Sequence, residues 1–208
     1  MSSWKALSAR WGGGAGEIDQ VRIDASTSAL ETIEYEHHEI HSGSAFTCHF
    51  YNEVTDIGEM TAIAFNTPDT AKWPHLIVSA GSTGACYVAV YEDTSIDADE
   101  GTQLAIYNRN RNSVTTATVL SIETVPVANK ATSFNEAQAA AANITTTTEL
   151  ERDYLGAGER KTVGGSNRGT QEFVLEQNQQ YCVLVYSLTA DTVTHNITLD
   201  WYEHTDKN

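Results

Sequence analysis

The sequence predicts an all-β chain: an antiparallel β-sandwich or jelly roll with one short helix and an N-terminal arm. Three observations carry that prediction. Short apolar or alternating runs recur along the chain, turn-forming clusters separate them, and a single stretch, "FNEAQAAAAN" at 134–143, is rich in helix formers.

The elements follow in chain order. The opening "MSSWKALSARWGGGAGE" places Trp4, Leu7 and Trp11 at spacings of three and four and then runs through Gly12, Gly13 and Gly14. This reads as an apolar arm, residues 1–17, on a flexible hinge, followed by a single sandwich domain at 18–208. Aromatic anchors are favoured at protein interfaces, which makes the arm a candidate contact element; the alternative is an ordinary terminal segment packed on its own domain. The arm has no apolar core of the signal-peptide kind, and no run is long enough for a membrane span, so synthesis and assembly in a cytoplasm are expected.

Next comes "IEYEHHEIHSG" at 33–43, which gathers His37, His38, Glu39 and His41. The zinc helix H-E-x-x-H needs its glutamate directly after the first histidine, and here that place is taken by His38. From Thr32 to Glu36 polar and apolar residues alternate, which is the period of a strand. On a strand His37 and His41 would stand about 13 Å apart, too far to chelate one ion. The expectation is therefore no metal and no cofactor, with His37, His38 and His41 on a partly exposed sheet face or at a subunit contact.

The strands continue through "SAFTCHFY" (44–51), with Phe46, Cys48 and Phe50 on one face, and "ACYVAVYED" (85–93), apolar on both faces. "TATVLSIET" (116–124) and "QEFVLEQ" (171–177) follow, then the two-sided "YCVLVYSL" (181–188). The last, "TVTHNITLDWYEH" (192–204), sets Val193, His195, Ile197, Leu199 and Trp201 against Thr194, Asn196, Thr198 and Asp200, one buried face and one wet. "GAGERKT" (156–162) fails as a phosphate loop because Arg160, not glycine, precedes the lysine. The span 152–169 reads instead as a long exposed Gly-rich excursion, a contact or binding loop. "NRNRN" (108–112) sets Arg109 and Arg111 on one turn, where they either meet a partner's carboxylates or stay solvated.

Composition bounds the function. The chain has 208 residues, 40% hydrophobic, and 28 acids against 12 bases, for a formal net charge of −16. Such a surface repels phosphate backbones and anionic lipid, so neither nucleic acid nor membrane is an expected partner. Cys48, Cys86 and Cys182 are widely spaced inside apolar runs and read as reduced core thiols. No serine, histidine and acid set has triad spacing, and the histidines, adjacent at 37 and 38 or three and four apart, do not fit the cupin pattern of two histidines separated by one intervening residue.

Four stretches, "YEHHEIHSGSAFTCHF" (35–50), "NRNRNS" (108–113), "FNEAQAAAAN" (134–143) and "LDWYEHTD" (199–206), resemble virion structural proteins of tailed bacteriophages, of the head-associated or capsid decoration type. The resemblance implies a non-enzymatic role on the capsid surface, with the major capsid protein and further copies of this chain as partners. A decoration protein bound where capsid subunits meet stabilises the shell by mass action, and symmetric sites favour a homotrimer. A tail, neck or head-fibre component is the rival within the virion. A metal-dependent, cupin-like β-barrel enzyme is the rival outside it. A carbohydrate-binding module stands third, with Tyr107, Trp73 and Trp201 as aromatic candidates, although Trp201 lies on the apolar strand face. Trp4, Leu7, Trp11, His37, His38, His41, Arg109 and Arg111 are the expected contact residues.

Overall fold

The computed structural model describes residues 35–94, 103–124, 148–157, 160–163 and 172–205. The chain divides into two compact units, Met1–His38 and Glu39–Asn208. The first is described only from Tyr35 onward, and the second holds the sandwich. The arm with Trp4, Leu7 and Trp11, its glycine hinge and the helix-forming stretch 134–143 all lie outside the described residues.

A helix, α1 (Tyr35–Ser42), is followed by β1 (Ala45–Val54), β2 (Met60–Asn66), β3 (Lys72–Ser82), β4 (Cys86–Glu92), β5 (Tyr107–Asn108) and β6 (Leu120–Thr124). Then come β7 (Thr148–Leu155), β8 (Arg160–Val163), β9 (Phe173–Val174), β10 (Gln180–Ser187) and β11 (Val193–Thr205). One sheet runs β5-β1-β11-β3-β8, with β9 beside β3; the other runs β6-β2-β10-β4-β7. Every pairing is antiparallel. The first and last long strands, β1 and β11, are neighbours, and so are the second and second-to-last, β2 and β10. That nested order is the double Greek key of a jelly roll.

The core forms where the inner faces meet. Phe46, Cys48, Leu76, Val78, Ile197, Leu199 and Trp201 come from one sheet; Ile63, Phe65, Val88, Val90, Tyr181, Val183 and Val185 come from the other. The two-sided apolar runs behave as their composition demands. In β4 and β10 the residues facing away from this core, Tyr87, Ala89, Tyr91, Cys182, Leu184 and Tyr186, are buried as well and form a second cluster with Ala62 and Ala64. The alternating β11 instead buries Val193, His195, Ile197, Leu199 and Trp201 and leaves Thr194, Asn196, Thr198 and Asp200 half-buried on its other face.

Two expectations are overturned. Residues 35–42 form a helix, not a strand. A five-residue alternation is too short to decide between the two periods, and the helix gains a strong stop. Gly43, at φ 80°, donates its N–H to the Ile40 carbonyl at 3.1 Å, and Ser44 donates to that of Glu39 at 3.0 Å. These are the two hydrogen bonds of a Schellman cap. The excursion expected at 152–169 also begins as strand, in β7 through Leu155 and in β8. β7 lies at the edge of its sheet, where charged side chains such as Glu149, Glu151 and Asp153 guard against edge-to-edge pairing.

Candidate functional site

Two surface features stand out, one at each side of the first sheet. The first lies at the corner where α1 ends and β1 begins. The turn after β5 is held against that corner by asparagines. Asn108 donates through Nδ2 to the Gly43 carbonyl at 2.8 Å and to that of Thr115 at 3.0 Å, and Asn110 donates to the His41 carbonyl at 3.0 Å. The carbonyls of a helix end lack intrahelical partners, and these amides supply them. Arg109 donates its backbone N–H to the Ala45 carbonyl at 2.8 Å. Asn108 Oδ1 accepts from the Asn110 N–H and Asn110 Oδ1 from the Asn112 N–H, two successive Asx turns that shape the loop.

The asparagines thus do the structural binding, and the rest of the turn faces outward. Arg111 is exposed, its guanidinium carbon 5.6 Å from the Tyr107 ring centroid. Tyr107 stacks on His49 at 6.4 Å. On the outward face of β1, Tyr51 is 71% exposed and His49 is exposed too. A basic and aromatic patch therefore sits on a chain of net charge −16. Tyrosine and arginine are the residue types enriched at interface hot spots.

Of the contact residues expected from sequence, the structure brings His41, Arg109 and Arg111 to this corner. His38 is exposed on α1. Position 37 falls one helical turn before 41, so the strand-based separation that argued against a shared ion does not hold. No group of three or more His, Cys, Asp or Glu residues suited to a metal occurs among the described residues. His49 and Tyr51 were missed. The signal was present in "SAFTCHFY", whose outward positions alternate with Phe46, Cys48 and Phe50.

The second feature is a groove of about 540 Å³ lined by Asp69, Trp73, Val174, Leu175, Glu176, Gln177 and Asn178. It opens between the loop joining β2 to β3 and the turn joining β9 to β10. Thr67 clamps the turn: its hydroxyl donates to the Glu176 carbonyl at 2.6 Å and accepts the Gln179 N–H at 2.9 Å. Its backbone N–H donates to the Gln179 carbonyl at 2.9 Å. The buried Tyr181 hydroxyl accepts the Glu176 N–H at 2.9 Å and donates to Glu92 at 2.5 Å. Burial raises the Tyr181 pKa, so this phenol stays a donor. Leu175 is inserted in the core, with its N–H on the Pro74 carbonyl at 2.9 Å.

Several buried titratable groups serve the fold. Cys48, Cys86 and Cys182 are buried thiols, and burial pushes Cys48 and Cys182 up to about 12. Trp201, expected in the core, is 4% exposed. Its indole N–H donates to Glu203 at 3.2 Å. That buried carboxylate also accepts the backbone N–H of Thr118 at 2.7 Å and of Val119 at 3.3 Å, which fastens the segment leading into β6 to β11. No family model, curated protein or solved structure matches the chain.

Proposed function

We propose that this chain is a structural protein of a tailed-bacteriophage virion, a capsid decoration protein that docks on the outer face of the shell. The observation that carries the reading is the corner patch. The described parts of three of the four stretches that resemble such proteins, those at 35–50, 108–113 and 199–206, run together there. β11 pairs with β1 so that Tyr202 faces Ala45, Glu203 donates its N–H to the Ser44 carbonyl, and Arg109 donates to that of Ala45. The fourth stretch, 134–143, lies outside the described residues. The jelly-roll order is one that viral capsid domains use, along with lectins and cupins, so the fold permits the reading and the patch supports it.

Docking would work by burying Tyr51, Tyr107 and Arg111 against a capsid surface whose carboxylates pair with the guanidinium. Attraction between this patch and an acidic site steers approach despite the overall negative charge. A homotrimer on three-fold positions matches the symmetry of such a shell. The arm at 1–17 is the second proposed anchor, on the strength of its tryptophans.

The test is a binding measurement between purified protein and bare capsids, paired with cryo-electron microscopy of the particle. Density on the shell, and binding weakened by Tyr51→Ala and Arg111→Glu, are the expected results. Density in the tail or neck would replace the decoration role with another structural one. Stoichiometric bound metal with a chelator-sensitive melting temperature would replace both with the enzyme reading.

A further inference from the structure

We propose that the groove between the β2–β3 loop and the β9–β10 turn binds a neutral saccharide, with Trp73 as the surface on which the sugar ring stacks. The inference does not rest on the virion reading. The groove volume of about 540 Å³ falls inside the span typical of small-ligand sites, roughly 300–1,000 Å³. Its wall is preorganised, because Thr67 and Tyr181 fix the turn through the backbone of Glu176 and Gln179 and leave the side chains to face outward. A site held in shape before binding loses less entropy when the ligand arrives.

The polar lining decides the ligand class. Asp69 and Glu176 supply acceptors; Gln177 and Asn178 supply both donors and acceptors. None of these four side chains is committed to another partner among the described residues. A sugar hydroxyl also donates and accepts, so a saccharide satisfies all four groups at once. A quaternary ammonium or lysine would use the carboxylates and the indole face but leave the amide N–H groups unmatched. Such cations are also usually held by several aromatic walls, whereas among the described residues this groove has one, Trp73. An anionic sugar is disfavoured by Asp69 and Glu176, since among the described residues no Lys, Arg or His lines the groove to offset them.

The full-length, isotope-labelled protein is titrated with methyl α-glucoside, methyl β-galactoside and N-acetylglucosamine, with glucuronic acid and tetramethylammonium as counter-probes, and followed by NMR. At least one neutral saccharide is expected to shift the amides of 176–178 and the Trp73 indole, with a dissociation constant on the order of 1–10 mM. Trp73→Ala should weaken that binding about tenfold and Trp73→Phe much less. The exposed pair Asp69→Asn and Glu176→Gln provides the second reading, because it removes charge without disturbing the clamp; it should weaken binding about threefold or more. Three results overturn the proposal: no shift from any neutral saccharide, preference for tetramethylammonium or glucuronic acid, or saccharide binding that is unchanged in both the Trp73 and the carboxylate variants. Capsid binding by the Glu176→Gln variant is measured alongside, so failure here and failure of the virion reading remain separable.

Discussion

The rings of His75 and Tyr202, paired across β3 and β11, stack with centroids 4.5 Å apart and reach for the same oxygen of Glu172. His75 Nδ1 lies 2.5 Å from that oxygen, and the Tyr202 hydroxyl donates to it at 2.6 Å. Glu172 stands at the start of the segment that runs through β9 into the wall of the groove. A single carboxylate thus fastens the outer face of one sheet to the chain that shapes a candidate binding site.

Glu172→Gln should therefore destabilise the fold by about 1–2 kcal/mol, because one half-buried network loses its charged acceptor while the shape is kept. For a chain of this size that corresponds to a fall of roughly 2–8 °C in melting temperature. Calorimetry checks it, and a double-mutant cycle with Tyr202→Phe should show non-additive losses.

His195 is fully buried, with Nδ1 3.1 Å from the Thr61 hydroxyl and Nε2 without a hydrogen-bond partner among the described residues. Burial lowers its pKa to about 4, against a smaller upward pull from Glu59. Since the folded value lies below the unfolded 6.5, the unfolded chain binds the extra proton between the two. The stability this group contributes is complete above pH 6.5 and is lost as pH falls toward 4, by about 3 kcal/mol in all. Melting curves from pH 4 to 7 should fall more steeply with acid for the natural chain than for His195→Asn.

Gly43 holds φ 80°, and a Cβ there would collide with the Ser113 side chain. Gly43→Ala should cost about 1–3 kcal/mol through strain at the cap and displacement of the 108–113 turn. The urea midpoint reads the loss. If the proposed decoration role holds, capsid binding should fall further than stability alone explains, because the turn carries Arg111.

Glu203 is 2% exposed and accepts from Thr118, Val119 and Trp201. Glu203→Ala leaves those donors buried and unpaired, at a cost of about 3 kcal/mol. Amide exchange at Thr118 and Val119 should quicken well beyond the rest of the sheet.

What the sequence determined by itself was the class of fold and the depth of burial. Alternation in 192–204 already marks one wet and one dry face, and the two-sided runs of β4 and β10 announce strands buried on both sides, because side-chain period is a local property. Cys86 and Cys182, inside β4 and β10, and Cys48, on the apolar face of β1, were legible as core for the same reason. What only the tertiary structure decided was everything that depends on which strands become neighbours. β3 was hidden by Pro74 near its start and β7 by its edge charges. The helix at 35–42 was hidden by a short alternation that gave way to a glycine cap and to two asparagine amides arriving from 108 and 110. The groove brings Asp69 and Trp73 to Glu176 and Asn178, and the patch brings Tyr51 to Tyr107 and Arg111. No local pattern encodes those meetings, since they follow from the register of strands distant in the chain, and that register is set by packing the whole core at once.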